Sequence, residues 1–158
     1  MRSIYKIVVC SLLTLSITSC EKDLLEKEQY QKEIYLIGAY NRVWTTEVSY
    51  SNEEVKTYFT VSSSGTLALD RDVNVKMKIN EELVDIYNKK YWTVLNEDKY
   101  YKSLDTDLYS IPSLENTVIK HAEGISAEVP VLIKTASLKI DQSYVIPVEI
   151  ESTTGYPI

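Results

Sequence analysis

Polar and apolar residues alternate with three different periods along this chain. The first stretch is a mainly apolar run, Ile7 to Ile17, behind the basic residues Arg2 and Lys6. The second, residues 21–33, is almost entirely charged or polar. From Ile34 onward the period becomes two, which predicts strands with one buried and one solvated face. Val73-Asn74-Val75-Lys76-Met77-Lys78-Ile79 is the strictest case, with four apolar residues on one face and Asn74, Lys76 and Lys78 on the other. Val55 to Val61 follows the same rule and should bury Val55, Phe59 and Val61. Ile34 to Ile37 and Val43 to Tyr50 are rich in β-branched and aromatic residues and predict two more strands. Glu128 to Lys134 and Tyr144 to Ile150 repeat the alternation. Pro130 and Pro147 cannot donate to a ladder, which predicts an edge or a bulge at each.

One segment reads as a helix. Asn80 can cap it, Glu81 and Glu82 suit its positive end, and Leu83, Ile86 and Tyr87 share a face. It should end between Asn88 and Tyr91. Gly38, Gly65, Gly124 and Gly155 each follow or separate a predicted strand, as turns with positive φ require. Many strands with one short crossing helix predict a mainly β fold, an immunoglobulin-like β-sandwich over residues 34–158.

The apolar run at the start has 11 residues, too few for the ~20 that cross a bilayer. It reads as a cleaved export signal, residues 1–19. Ile17-Thr18-Ser19-Cys20 resembles the lipobox cut by bacterial lipoprotein signal peptidase. Residues 20–33 are then a lipidated cysteine followed by a polar linker, with a short helix as the competing reading of the linker. Without Arg2 and Lys6, 15 basic residues face 23 acidic ones, a formal charge of −8. That balance argues against nucleic acid, whose binding needs a basic face to release counterions, and against a polybasic dock on anionic lipid. Cys10 leaves with the signal and Cys20 is alkylated, so no thiol is left for a disulfide.

The order of later segments carries a resemblance. Asp72-Val73-Asn74-Val75, then Val84-Asp85-Ile86-Tyr87-Asn88, then Val94-Leu95-Asn96-Glu97-Asp98-Lys99-Tyr100 resembles a domain of unknown function in Bacteroidetes surface lipoproteins. Val118-Ile119 before Gly124, Leu138 leading into Tyr144 to Ile150, and the closing Gly155-Tyr156-Pro157-Ile158 fit it as well. The resemblance implies a β-sandwich module encoded with glycan-uptake systems, often ahead of a family-18 glycosidase-like or glycan-binding domain. It also implies an outer-membrane, lipid-anchored location facing the cell exterior, for which Glu21-Lys22-Asp23 resembles the export signal. An outer-membrane transporter or a partner lipoprotein is the implied assembly partner. The chain departs from the pattern at Ser64-Gly65, at Asn96 and at Ile158, where such chains usually continue. A C-terminally truncated protein and a one-domain member both fit that stop.

Candidate chemistry is sparse. His121 lies in a predicted turn, His121-Ala122-Glu123-Gly124, and a lone histidine needs an orienting acid and a nucleophile to act. Glu53-Glu54, Glu81-Glu82 and Glu97-Asp98 fall at turns or helix starts rather than as a glycosidase pair held on rigid strands. Asp70 and Asp72 lack the spaced ligand series of a dedicated calcium loop. No catalytic residue, cofactor or metal site is assigned. Tyrosine stands out, with 13 tyrosines and two tryptophans against one phenylalanine. A sugar's CH face stacks on such rings and the phenol adds a hydrogen bond. Trp44, Tyr58, Trp92 and Tyr101 are therefore the candidate glycan-binding residues, with Tyr50, Tyr100 and Tyr109 behind them. The expected function is a non-catalytic surface module that assists glycan capture. The alternative is a spacer without ligand that positions a partner or a further domain.

Overall fold

The structure, a computed structural model, describes residues 28, 30–38, 43–140 and 142–158. The chain divides into two units, Met1–Tyr30 and Gln31–Ile158. The expected export signal, Cys20 and most of the expected linker lie outside the described residues. No helix among the described residues is long and apolar enough to cross a membrane.

The second unit is a β-sandwich. One sheet holds β1 (Ile34–Leu36), β2 (Glu54–Ser63), β7 (Ser126–Lys134) and β5 (Tyr109–Ser110), in the order β1-β2-β7-β5 and antiparallel throughout. The other holds β6 (Thr117–Ile119), β3 (Val73–Ile79) and β9 (Val148–Thr153), ordered β6-β3-β9. A short parallel pair joins β4 (Lys102–Ser103) to β8 (Tyr144–Val145). The single α-helix among the described residues is α1 (Glu82–Tyr91).

Alternation predicts the interior of β3 and β7, whereas on β2 only Val61 of the expected set is fully buried, Val55 and Phe59 are half-buried, and the successive residues Ser62 and Ser63 are both buried. On β3, Val73, Val75 and Met77 are buried while Asn74, Lys76 and Lys78 face solvent. They meet Ile34, Val61 and Val129 from the opposite sheet, with Ile119, Ile150 and Leu69 completing the core. Each fully buried aliphatic side chain of this kind contributes about 1.5–3 kcal/mol. A second cluster, Leu104, Val131 and Ile133, forms with Val48, Leu108, Tyr109 and Ile146 packed against it, and Phe59 bridges the two.

The structure departs from the sequence pattern in three places. Residues 43–50 carry strand-forming side chains but enter no ladder. They are tied instead to buried Thr135, whose Oγ1 accepts from Ser51 N at 2.9 Å and reaches Ser49 O at 3.2 Å. Val48 packs on the second cluster, so apolar residues there mark a covering segment. Tyr144 to Ile150 is one period-two run but two strands. It leaves β8 and joins β9 across Ile146-Pro147, and Pro147 O takes Asn80 N at 2.9 Å. Pro130 sits inside a central strand, opposite Tyr58. It is tolerated because β5 pairs only with Leu132 and Ile133, leaving that side of β7 open at Pro130.

All four glycines adopt positive φ. Gly38 is the most constrained, because a Cβ there would lie 2.6 Å from Trp44 Cε3.

Candidate functional site

Among the described residues, an aromatic cleft forms around α1. Asn80 lies between β3 and the helix, whose N-cap is Glu81 rather than the expected Asn80: the Asn80 Oδ1 accepts from Glu82 N at 3.2 Å and the Asn80 backbone oxygen accepts from Leu83 N at 3.2 Å. Its Nδ2 donates to Glu149 Oε2 at 2.7 Å, which ties the helix start to β9. Glu82 and Asp85 in the first turn and Lys89 and Lys90 in the last complement the helix dipole.

The face that α1 buries differs from the expected one. Val84 and Asn88, one turn apart, are its buried residues, whereas Leu83 and Ile86 are exposed, Ile86 at 53%. Asn88 explains the choice. Its Nδ2 donates to Tyr101 O at 2.9 Å and its Oδ1 accepts from Tyr101 N at 3.0 Å. One side chain thus satisfies both backbone groups of Tyr101, as a neighbouring strand would. This turn of the helix points inward because a two-bond clasp and Val84 outweigh two aliphatic side chains that find no cover.

The clasp holds Tyr101 against Tyr87. Their ring centroids lie 5.6 Å apart, edge to face at 64°, and Tyr87 packs on Tyr91 at 4.5 Å and 35°. Burial pushes the Tyr87 phenol above its ordinary range, and the Tyr101 and Tyr91 phenols add to the shift. Tyr87 and Tyr101 wall a cleft of about 290 Å³ whose remaining lining is Val43, Leu83, Val84, Ile86, Val145 and Pro147. On the other side of Val84 and Tyr101 is a polar hollow of about 420 Å³, lined by Glu81, Glu82, Asp85, Asn88, Lys102 and Ser103. Ser103 Oγ donates to Glu81 there, and Lys102 Nζ donates to Gln142 Oε1 at 3.1 Å.

Asn88→Ala is expected to cost about 2 kcal/mol, because both backbone groups of Tyr101 lose their partner. Urea unfolding measures it. A loss under about 0.5 kcal/mol, the scale of an ordinary surface change, would show that water replaces the clasp.

The aromatics named from sequence are dispersed. Tyr101 is in the cleft. Tyr58 is 53% exposed on the outer face of the four-stranded sheet, and Trp44 is 59% exposed over Gly38. Trp92 is half-buried just past α1, with Lys99 Nζ 5.6 Å from its ring centroid and its indole N–H buried without a hydrogen-bond partner. Tyr50 is exposed, while Tyr100 and Tyr109 are half-buried. The Tyr109 hydroxyl is also buried and unpaired, and burial raises its pKa, with the Glu81 charge adding. Residue type and strand parity do not single out Tyr87, Tyr91 or Asn88 as site residues. The i, i+4 spacing of the two tyrosines, and of Asn88 from Val84, is the signal that marks them.

His121 has a partner. Its Nδ1 lies 2.6 Å from Asp72 Oδ1, which also accepts from the His121 backbone N at 3.0 Å, and both side chains are about half exposed. Asp70 accepts from Arg71 at two points, 3.0 and 2.7 Å, and from the Tyr156 hydroxyl. The two carboxylates thus face cationic or donor groups rather than a shared centre. His121 holds the Asp72 pKa below its ordinary value of 3.8, first through the ring contact and then through its backbone N–H. Arg71 first and Tyr156 second depress Asp70. A depressed carboxylate adds stability that is complete above its unfolded pKa and fades as pH falls through the folded value. Thermal melts between pH 2 and pH 7 should therefore lose stability below about pH 4, and Asp72→Asn should flatten that slope. Parallel curves for the two proteins would remove Asp72 as a cause.

Two comparisons place the fold among known proteins. Residues 30–157 match a family described as an N-terminal domain. Three solved structures from Bacteroides ovatus share the fold. A structural-genomics protein of unknown function has a TM-score of 0.61 at 12% identity, covering 82% of this chain and 42% of its own. A multidomain protein including DUF1735 has a TM-score of 0.54 at 17% identity, covering 65% and 33%. A protein provisionally named as carbohydrate binding has a TM-score of 0.55 at 20% identity, covering 80% and 37%. This chain spans well under half the length of each. No curated protein matches it.

Proposed function

The chain belongs to the family of N-terminal domains matched over residues 30–157, and on that premise we propose that it is a non-catalytic module that holds glycan at the cell surface. The observation that carries this reading is the cleft beside α1, where Tyr87 and Tyr101 stand over an apolar floor and a hollow of carboxylates adjoins it. A pyranose has the matching surfaces: a CH-rich face for the rings and hydroxyls for carboxylates to accept. One fold-sharing neighbour is provisionally named for carbohydrate binding, which supports the same direction. Lipid on Cys20 would keep the module at the outer membrane, where a transporter or a second lipoprotein could receive the sugar.

The test is a glycan array probed with the full chain and two variants. Tyr101→Ala keeps the backbone atoms that Asn88 clasps, so the fold is retained while the stacking ring is lost. It is expected to weaken binding about tenfold, equivalent to about 1.4 kcal/mol. Tyr58→Ala, on the far face of the sheet, should bind as the unaltered protein does. The reverse result would move the site to the outer sheet face. Uniform absence of binding by the folded protein would leave the spacer reading, in which the module only positions a partner or a following domain.

A further inference from the structure

Resting on the reading of the cleft as a glycan site, we infer that it selects an N-acetylated hexosamine and rejects anionic glycans. Stacking on Tyr101 and Tyr87 alone would accept any neutral hexose, since every pyranose has an apolar face. The discrimination comes from what surrounds the rings. Leu83, Ile86, Val145 and Pro147 supply aliphatic surface with no side-chain donor or acceptor. A hydroxyl placed against that surface gives up water and gains no partner. The methyl of an acetamido group placed there gains by leaving water. The size suits one such unit: about 290 Å³ lies just below the ~300–1,000 Å³ usual for small-molecule sites.

Charge adds the second discrimination. Glu82 and Asp85 line the adjoining hollow, and Glu81 accepts from Ser103 there. Lys102 is the hollow's cation, and its ammonium is engaged with Gln142. The hollow that adjoins the cleft is therefore acidic, with three carboxylates against one ammonium. A sugar in the cleft that extends past Val84 and Tyr101 meets carboxylates that accept from its hydroxyls or its acetamido N–H, and their charge repels carboxylated or sulfated sugars. An N-acetyl group is neutral, carries the methyl and offers the N–H, so it meets all three conditions.

Calorimetry on the full chain in a polyoxyethylene detergent, which has no sugar headgroup, separates the outcomes. The ligands are chitotriose, cellotriose and a galacturonic acid trimer at low salt. Chitotriose is expected to bind at least tenfold tighter than cellotriose, and the galacturonic acid trimer to show no binding. Ile86→Asn replaces an exposed side chain that lines the cleft, and is expected to abolish the preference for chitotriose over cellotriose. Cellotriose binding as well as or better than chitotriose overturns the acetyl selection and leaves the glycan reading standing. Galacturonate binding overturns the charge argument. No sugar binding by a protein with a folded circular dichroism spectrum removes the glycan reading itself. So does displacement of a hydrophobic dye from the cleft by an apolar peptide when no sugar displaces it.

Discussion

Ile34→Ala is expected to destabilise the domain by about 2–5 kcal/mol, a large part of the 5–15 kcal/mol that holds a typical domain together. Ile34 is fully buried, at the start of β1, and packs in the main core with Val61, Val73 and Val129. Truncation removes methyl and methylene groups from between two sheets that cannot close fully over the gap. The position also joins distant parts of the chain: Ile34 N donates to Pro157 O at 2.8 Å, and Ile34 pairs with Ser63. Ile34→Val keeps most of the volume and should cost about 0.5–1.5 kcal/mol. Urea unfolding of the two variants reads the difference. Equal midpoints would mean that β1 adds little to the core, contrary to its burial.

Cys20→Ala is expected to move the protein from the membrane fraction to the aqueous one and to abolish palmitate labelling. The reasoning is the arithmetic of acyl chains. Each buried CH₂ contributes about 0.8 kcal/mol, a single chain binds only reversibly, and two or more chains anchor stably. A diacylglyceryl thioether with an N-acyl group carries three chains, all dependent on one sulfur. Past residue 19, 15 basic residues stand against 23 acidic ones, a balance that does not favour docking on an anionic surface. Labelling that persists in Cys20→Ala, or none in the unaltered protein, would falsify the anchor.

The two predictions rest on different kinds of information. The core that Ile34 joins is legible in the sequence wherever strands are long and one-sided. On β3 the alternation of Val73, Val75 and Met77 with Asn74, Lys76 and Lys78 names the buried set from residue type and parity alone. The same holds for Tyr58, which parity places opposite Phe59 and therefore outside. Helix α1 is legible from Asn80 to Tyr91, though its orientation is not. Leu83 and Ile86 are more hydrophobic than Asn88, so the apolar pattern would bury them. Asn88 is buried instead, at 4% exposure, because Tyr101, 13 residues away, presents both its N–H and its C=O to the amide.

That contrast accounts for the candidate site as a whole. Tyr101 stands out in the sequence as an aromatic residue, but nothing local marks it above Trp44 or Tyr58. Its place in a cleft depends on Asn88 and Tyr87 from α1 and on Val145 and Pro147 from the crossing between β8 and β9. Period-two and period-3.6 patterns are short-range, set by which way successive Cβ atoms point, so strands, turns and the helix can be read along the chain. Contacts between residues far apart follow from how whole elements pack. The sheet order, the strand switch at Pro147 and the cleft beside α1 are therefore properties of the folded chain alone.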